Sequence, residues 1–362
     1  FDNNSSNPYR HAKNWPIPKI GGKCIILLPC LLFLAIISYM RMIKPNDIFI
    51  IDNTISFLKN TDENPSSNKE GDIKLELLTE EEQDLWIQTN FVASDPSNQE
   101  WCVEALLNGT YWKRKNTKCA HCGAQFSQDI FLARNFFLQD LMTIHNNKQR
   151  LYIEAGANHY RTLSSTYFYD KCLGWDGLCI EPQKQYHDDI IKHRSCTLVK
   201  KCIMKEKQDM MLGGMPAHRG GGMFVEPIPE DNNITEGWDR IECASLQDIL
   251  EEYSSNQKQV EESSSIIRSR IDLFVLDVEG AELIVLDAIE WNEITFDTLL
   301  IENNKMSKEV KKKLDEDMKD RGYPKKYQLN VDVVYHRHTT TIEGEKTSPP
   351  WVPKEDVVKL SN

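Results

Sequence analysis

Leu151-Tyr152-Ile153-Glu154-Ala155-Gly156-Ala157-Asn158 is a short apolar run that ends on an acid and turns at a glycine. Such a run predicts a buried β-strand feeding a tight turn. Glycine lets a backbone approach a ligand closely, and asparagine tolerates left-handed dihedrals. The same pattern recurs downstream with helices between the strands. Thr162 to Leu173 reads as a helix, Gly177-Leu178-Cys179-Ile180-Glu181 as a second strand, Lys184 to His193 as a helix and Thr197 to Ile203 as a third strand. Ile271 to Asp277 is nearly all apolar, as a central parallel strand covered on both faces is expected to be. Ala281 to Ile289 is helical, Thr298 to Glu302 is a fifth strand, Lys308 to Arg321 is a charged surface helix, and Gln328 to Tyr335 closes the sheet. Alternation of strand and helix predicts an α/β fold with a doubly wound, mostly parallel sheet.

In such sheets ligands bind beyond the carboxyl ends of the strands. Glu154 beside Gly156, Glu181, and Asp277 with Glu279 fall at those ends. Glu181 lies 25 residues beyond Gly156. That is close to the offset at which a second-strand acid takes both ribose hydroxyls of an adenosine cofactor, and two carboxylate oxygens can accept two hydroxyl protons at once. The loop from Gly156 to Thr162 lacks the second and third glycines of G-x-G-x-x-G. A cofactor without a pyrophosphate fits it better than a dinucleotide. Asp277 and Glu279 are candidate general bases, with His218 as a second choice. The competing structural reading of Glu279 and Glu282 is that they favour the positive end of the following helix. Clustered acids also suit Mg²⁺, but no specific ligand triad is evident, so no metal is expected.

Three segments carry a family resemblance: Ile153-Glu-Ala-Gly-Ala-Asn158, Gly177-Leu-Cys-Ile-Glu-Pro182 and Leu276-Asp-Val-Glu-Gly-Ala-Glu-Leu283. Together they resemble the FkbM family of S-adenosylmethionine-dependent methyltransferases over about Leu151 to Tyr335. Leu163-Ser-Ser-Thr-Tyr-Phe-Tyr169 and Leu173-Gly-Trp-Asp-Gly177 are similar to its membrane-anchored eukaryotic branch. The resemblance implies a Rossmann-like fold, S-adenosylmethionine as cofactor, and O-methylation of a hydroxyl-bearing small molecule or glycan. It implies that Glu154, Gly156, Ala157 and Asn158 line the methionine part of the donor and Glu181 its ribose. Tyr160 stands where the family often has glycine. A different reading stays open: a non-catalytic binding or trafficking protein that keeps the methyltransferase fold.

The remainder of the chain sets its expected location. Cys24 to Met40 is seventeen residues without a charge, followed at once by Arg41. At about 1.5 Å per residue this suits a thin endoplasmic-reticulum or Golgi bilayer. Arg10, Lys13, Lys19 and Lys23 precede it and place the amino terminus in the cytosol. The expected organisation is a cytosolic tail (1–23), a transmembrane signal anchor (24–40), a stalk (41–82), a helical luminal segment (83–150), a methyltransferase-like domain (151–340) and a tail (341–362). This describes a single-pass type II protein with a luminal domain. Eight of the ten cysteines lie beyond the span, an even number suited to disulfides of unassigned pairing, Cys119 and Cys122 being two of them. Asn108 and Asn233 head glycosylation sequons.

Within the luminal segment, Ile130, Ala133, Phe137 and Leu141 recur at helical spacing and predict a helix covering one edge of the main domain. Gly213 to Asp231 reads as a mobile loop before a strand-like Arg240 to Ala244, and Ser254 to Ser265 as a disordered linker. A net charge of -12 and the lack of a basic stripe argue against nucleic acid.

Overall fold

The computed structural model describes residues 79–110, 123–142, 149–214, 223–231, 234, 236–257 and 270–337. Cys24 to Met40, Cys119, Cys122, His145, His218, Asn233 and the tail from 341 lie outside them. Among the described residues no helix is long and apolar enough to cross a membrane.

Helix α1 (Glu80–Asn90) begins inside the stretch read as stalk. The Thr79 hydroxyl accepts from the Glu82 N–H at 3.2 Å while the Glu82 carboxylate takes the Thr79 N–H at 2.8 Å, a reciprocal cap. Next come α2 (Gln99–Asn108) and α3 (Gln128–Leu132), which passes through a π-helical turn, Ala133–Phe137, into α4 (Leu138–Met142). Arg134 in that turn is buried and bonds Asp84 of α1 at 2.5 Å and the Leu106 carbonyl of α2 at 3.1 Å. One cation thereby ties the helices together.

From Leu151 the chain runs β1 (Leu151–Ala155), α5 (Tyr167–Lys171), β2 (Asp176–Ile180), α6 (Lys184–His193) and β3 (Thr197–Val199). There follow β4 (Lys201–Ile203), β5 (Gln208–Gly214), β6 (Met223–Pro227), β7 (Asp239–Ala244) and α7 (Leu246–Gln257). β8 (Arg270–Leu276), α8 (Glu282–Asp287), β9 (Thr295–Glu302), α9 (Lys308–Asp320), β10 (Lys325–Leu329) and β11 (Asp332–His336) complete the series.

Seven strands form one sheet in the order β10-β11-β9-β8-β1-β2-β3. From β3 to β9 the pairing is parallel, and β10 with β11 adds an antiparallel hairpin. The doubly wound, mostly parallel sheet expected from the sequence is present. Strand order reverses between β1 and β8, so the crevice beyond their carboxyl ends is the natural ligand position. Side chains alternate between two cores. Tyr152, Cys179, Leu273 and Val275 join one, while Ile153, Leu178, Phe274 and Leu276 join the other. Helices α1 to α4 supply Ile87, Leu106, Ile130 and Phe137 to the first core. They therefore cover a face of the sheet, not an edge.

Several expected boundaries move. The helix expected over Thr162 to Leu173 shrinks to Tyr167–Lys171, because Ser164 and Thr166 spend their hydroxyls on Glu154. The third strand divides at Lys200: Val199 still pairs with Ile180, but Cys202 pairs with Cys243 of β7 in a second sheet. That sheet has the order β4-β7-β5-β6 and its own small core of Met210, Leu212, Ile241 and Cys243. Its strands β5 and β6 take in Gly213, Gly214 and Met223–Pro227 of the stretch read as a mobile loop. Gly213 hid the strand, since glycine argues against one, yet a Cβ there would sit 2.0 Å from the Trp238 ring that packs on it. The closing strand is two, β10 and β11, joined by a turn at Asn330, which has φ 51°. Helix α7 takes in Ser254 to Gln257, the first part of the segment read as a linker.

Three disulfides join the described residues: Cys102–Cys172, Cys179–Cys196 and Cys202–Cys243. The first links α2 to the end of α5 across 70 residues and fastens the helical cover to the sheet. Closing a loop of that length restricts the unfolded chain. Replacing both Cys102 and Cys172 by alanine is expected to cost about 2–4 kcal/mol, read as a lower midpoint in urea under non-reducing conditions. An unchanged midpoint would show that the cover does not depend on this link.

Candidate functional site

The crevice is built around the turn after β1. Gly156 has φ 84°, and a Cβ on it would lie 1.8 Å from the Asp277 carbonyl oxygen, so glycine alone fits. Its N–H donates to the Ile180 carbonyl at 2.9 Å, and Asp277 N–H donates to the Ala155 carbonyl at 3.1 Å. The ends of β2, β1 and β8 are thereby held in register. Ala157 is buried. Asn158 takes φ 49°, as its residue type permits, and its N–H points at Glu181.

Glu181, one residue past β2, accepts from the Asn158 N–H on one oxygen and the Gln183 N–H on the other, both at 2.7 Å. It is 1 % exposed. Burial raises its carboxyl to about 7, with nearby Glu154 adding to the rise and the two N–H donors opposing it. A carboxylate has about four acceptor positions, and these two bonds leave others for hydroxyl donors.

Glu154 is placed differently. One oxygen accepts from Ser165 N–H at 2.8 Å, the other from Thr166 Oγ1 at 2.7 Å and Arg194 at 3.3 Å, and Ser164 Oγ lies 3.0 Å from both. Its charge is occupied in holding the 164–166 turn against β1.

The Tyr160 ring is stacked between His159, 4.5 Å away, and His193 at the end of α6, 4.4 Å away. It packs on the first core. His159 Nδ1 accepts from the backbone N–H groups of Arg161 and Thr162 at 3.1 and 3.0 Å, which fixes the loop beyond the stack.

Across the crevice stands a group of acids. Asp277, Glu282 and Glu302 each offer one oxygen within 4.8 Å of the others. Asp277 is exposed just past the end of β8, with Glu282 buried and Glu302 half-buried beside it. Burial, then the charge of Glu302, holds its carboxyl well above the usual range. Burial, then Glu279, raises Glu302 to about 7, and burial likewise raises Asp332 to about 7. The triad has oxygen-donor chemistry suited to Mg²⁺ or Ca²⁺ as well as to proton transfer. Glu282 Oε1 accepts from the Val278 and Gly280 N–H groups at 3.2 and 2.9 Å, a loop-holding part consistent with its structural reading. Glu279 is exposed and ion-paired with Lys305, so Asp277 is the better-placed acid of the two.

Glu302 and Asp332 were not singled out from the sequence. Glu302 ends the fifth strand, so the strand-end rule that selected Asp277 applies to it equally. Asp332 carried no such signal, because the hairpin that places it was read as one strand.

The stacked Tyr160 ring supports a specific expectation. Tyr160→Gly is expected to cost about 2 kcal/mol of stability, less than a fully buried aromatic, and to leave affinity for S-adenosylmethionine unimproved. Melting temperature and calorimetry on both proteins check this. Donor binding that appears only in the glycine variant would mean the ring blocks the crevice.

No protein-family model matches the chain, and no curated protein does. Among solved structures it is similar to a precorrin-6y C5,15-methyltransferase from Geobacter metallireducens, at 10% identity and TM-score 0.29 over 63% of this chain and 94% of that one. It is also similar to a putative RNA methyltransferase from Pyrococcus horikoshii, at 10% identity and TM-score 0.29 over 74% and 100% of the two chains. Likeness at this level assigns no activity.

Proposed function

We propose that the chain is an S-adenosylmethionine-dependent methyltransferase of the FkbM kind that methylates a hydroxyl, with glycans as the leading acceptor class. The observation that carries this is the Gly156 turn, pinned at the strand-order reversal with the Glu181 carboxylate bonded to its Asn158 N–H. Spare acceptor capacity on Glu181 suits two ribose hydroxyls, and a turn without further glycines suits a donor lacking phosphates. Gly156, Ala157 and Asn158 present backbone to the methionine part. Glu154 shapes this turn through the 164–166 segment.

When bound, S-adenosylmethionine supplies a methyl group on a sulfonium. The oxygen–methyl bond forms as the sulfur–methyl bond breaks, leaving a neutral thioether, so positioning carries much of the rate. Asp277, beside Glu302, is the group placed to accept the hydroxyl proton when it is ionised. A carboxyl held above its usual range is a stronger base in its ionised form than an ordinary one. The Tyr160 ring, packed on His159, His193 and the first core, favours the enzyme over the binding-protein reading. The type II topology, with a luminal domain in the Golgi or endoplasmic reticulum, belongs to the same proposal and accords with three disulfides.

Glu181→Gln preserves shape and removes the charge. It is expected to weaken donor binding by about 1.5–3 kcal/mol while the domain still folds. Alanine is a poorer test because Glu181 is buried and two N–H donors would lose their acceptor. Ribose hydroxyls donate to the ionised form. A carboxyl raised to about 7 therefore makes donor affinity climb as pH rises through that value, and the glutamine variant should lose the climb. Equal affinity and equal pH dependence in the two proteins would exclude the ribose assignment.

For topology, the protein is expected to stay with membranes through alkaline carbonate washing, and its carboxyl-terminal domain to resist protease until detergent is added. Release of a shortened soluble product would instead indicate a cleaved signal peptide.

A further inference from the structure

Arg194 follows α6, and its side chain is fully buried. Its Nε donates to Asp170 at 2.5 Å. Nη1 reaches the Tyr160 carbonyl at 3.2 Å, Ser164 Oγ at 3.0 Å and Glu154 at 3.3 Å. Nη2 reaches Tyr152 Oη at 3.1 Å and Thr166 Oγ1 at 2.7 Å. One planar cation thus contacts β1, the loop after Gly156, the 164–166 turn and α5.

Two of these contacts matter most for the crevice. Asn158 is held through its N–H by Glu181, which precedes α6, and Tyr160 is held through its carbonyl by Arg194, which follows α6. The Tyr160 ring also stacks on His193, the last residue of that helix. The loop is bracketed by the two ends of one helix. We propose that Arg194 is a positioning residue for the donor loop, setting the Asn158–Tyr160 backbone against Glu181; this rests on the reading of that loop as the donor site.

The chemistry requires arginine at this position. A guanidinium has five N–H donors in a fixed plane, enough to serve several acceptors on different segments at once. Lysine keeps the charge beside Glu154 and Asp170 but brings three donors at a point. It cannot reach the Tyr160 carbonyl while serving the two carboxylates. A purely structural ion cluster would tie strand to helix and leave the loop carbonyl alone. Here the loop is one of its partners.

The test uses the 362-residue chain, with S-adenosylmethionine as the calorimetric probe and hydrogen exchange as a second readout. In Arg194→Lys, donor affinity is expected to fall about tenfold or more. Amides from 156 to 163 are expected to exchange faster while those of β8 and β9 keep their protection. Equal affinity with equal loop exchange overturns the proposal. So does a uniform rise in exchange across the whole sheet, which marks general destabilisation only.

If Arg194→Lys does not fold, Ser164→Ala carries the test, since it removes one acceptor of Nη1 and keeps the charges. It is expected to lower affinity about twofold to fivefold with the same local change in exchange, and no change overturns the proposal. If the unmutated chain binds no S-adenosylmethionine, the donor reading fails. Local loosening in Arg194→Lys would then still show the bracket, and its absence would remove both.

Discussion

The backbones of β1 and β8 meet so closely beyond their strands that one methyl group at residue 156 would fall within 1.8 Å of the Asp277 carbonyl. Much of the crevice follows from this contact. With no side chain at 156, the chain can bend at φ 84° instead of continuing along the sheet. The bend directs the next N–H groups across the end of β2, where the Ile180 carbonyl takes two and Glu181 takes the third. The same contact fixes the backbone of Asp277. The loop assigned to the donor and the acid assigned to the acceptor are therefore placed by a single steric fact.

Burial then sets the electrostatics. Helices α1 to α4 seal one face of the sheet and α7, α8 and α9 pack against the other, so the acids at the strand ends have few directions in which to find water. Glu181, Glu302 and Asp332 are each raised to about 7 mainly by desolvation, and Asp277 is held well above the usual carboxylate range by desolvation and then by the charge of Glu302. A group of carboxyls poised near neutrality can take up or release protons at little cost, which surface carboxylates cannot do. The helical cover closes one face of the sheet whose strand ends carry these acids.

The parallel strands were legible because a strand buried on both faces reads as an unbroken apolar run, as in Ile271 to Leu276. Gly156 and Glu181 were legible because their spacing follows from the length of a strand-helix-strand unit. The second sheet was not. Its strands are half exposed and interrupted by Gly213, and that glycine is required by the Trp238 ring, a long-range contact that no local pattern contains. The π-helical turn at Ala133–Phe137 was hidden in the same way, since its apolar residues keep ordinary helical spacing. Arg194 carried no signal at all. A lone arginine after a helix reads as surface charge until the fold brings Glu154, Asp170 and Tyr160 around it.

Glu154 lies inside β1 and Asp277 just past the end of its neighbour β8, and the sequence read the first as a donor-lining residue and the second as a base. The difference lies in what surrounds each carboxylate. Glu154 meets two hydroxyls, a backbone N–H and a guanidinium, so its acceptor positions are filled by the protein itself. Removing that carboxylate would leave Arg194 short of a counter-charge in a buried place. Asp277 meets Glu302, a like charge, and remains exposed. A proton or a cation relieves that repulsion, and in the proposed reaction the acceptor hydroxyl provides the proton. The fold thus satisfies one strand-end acid from within the protein and leaves the other exposed beside like charges.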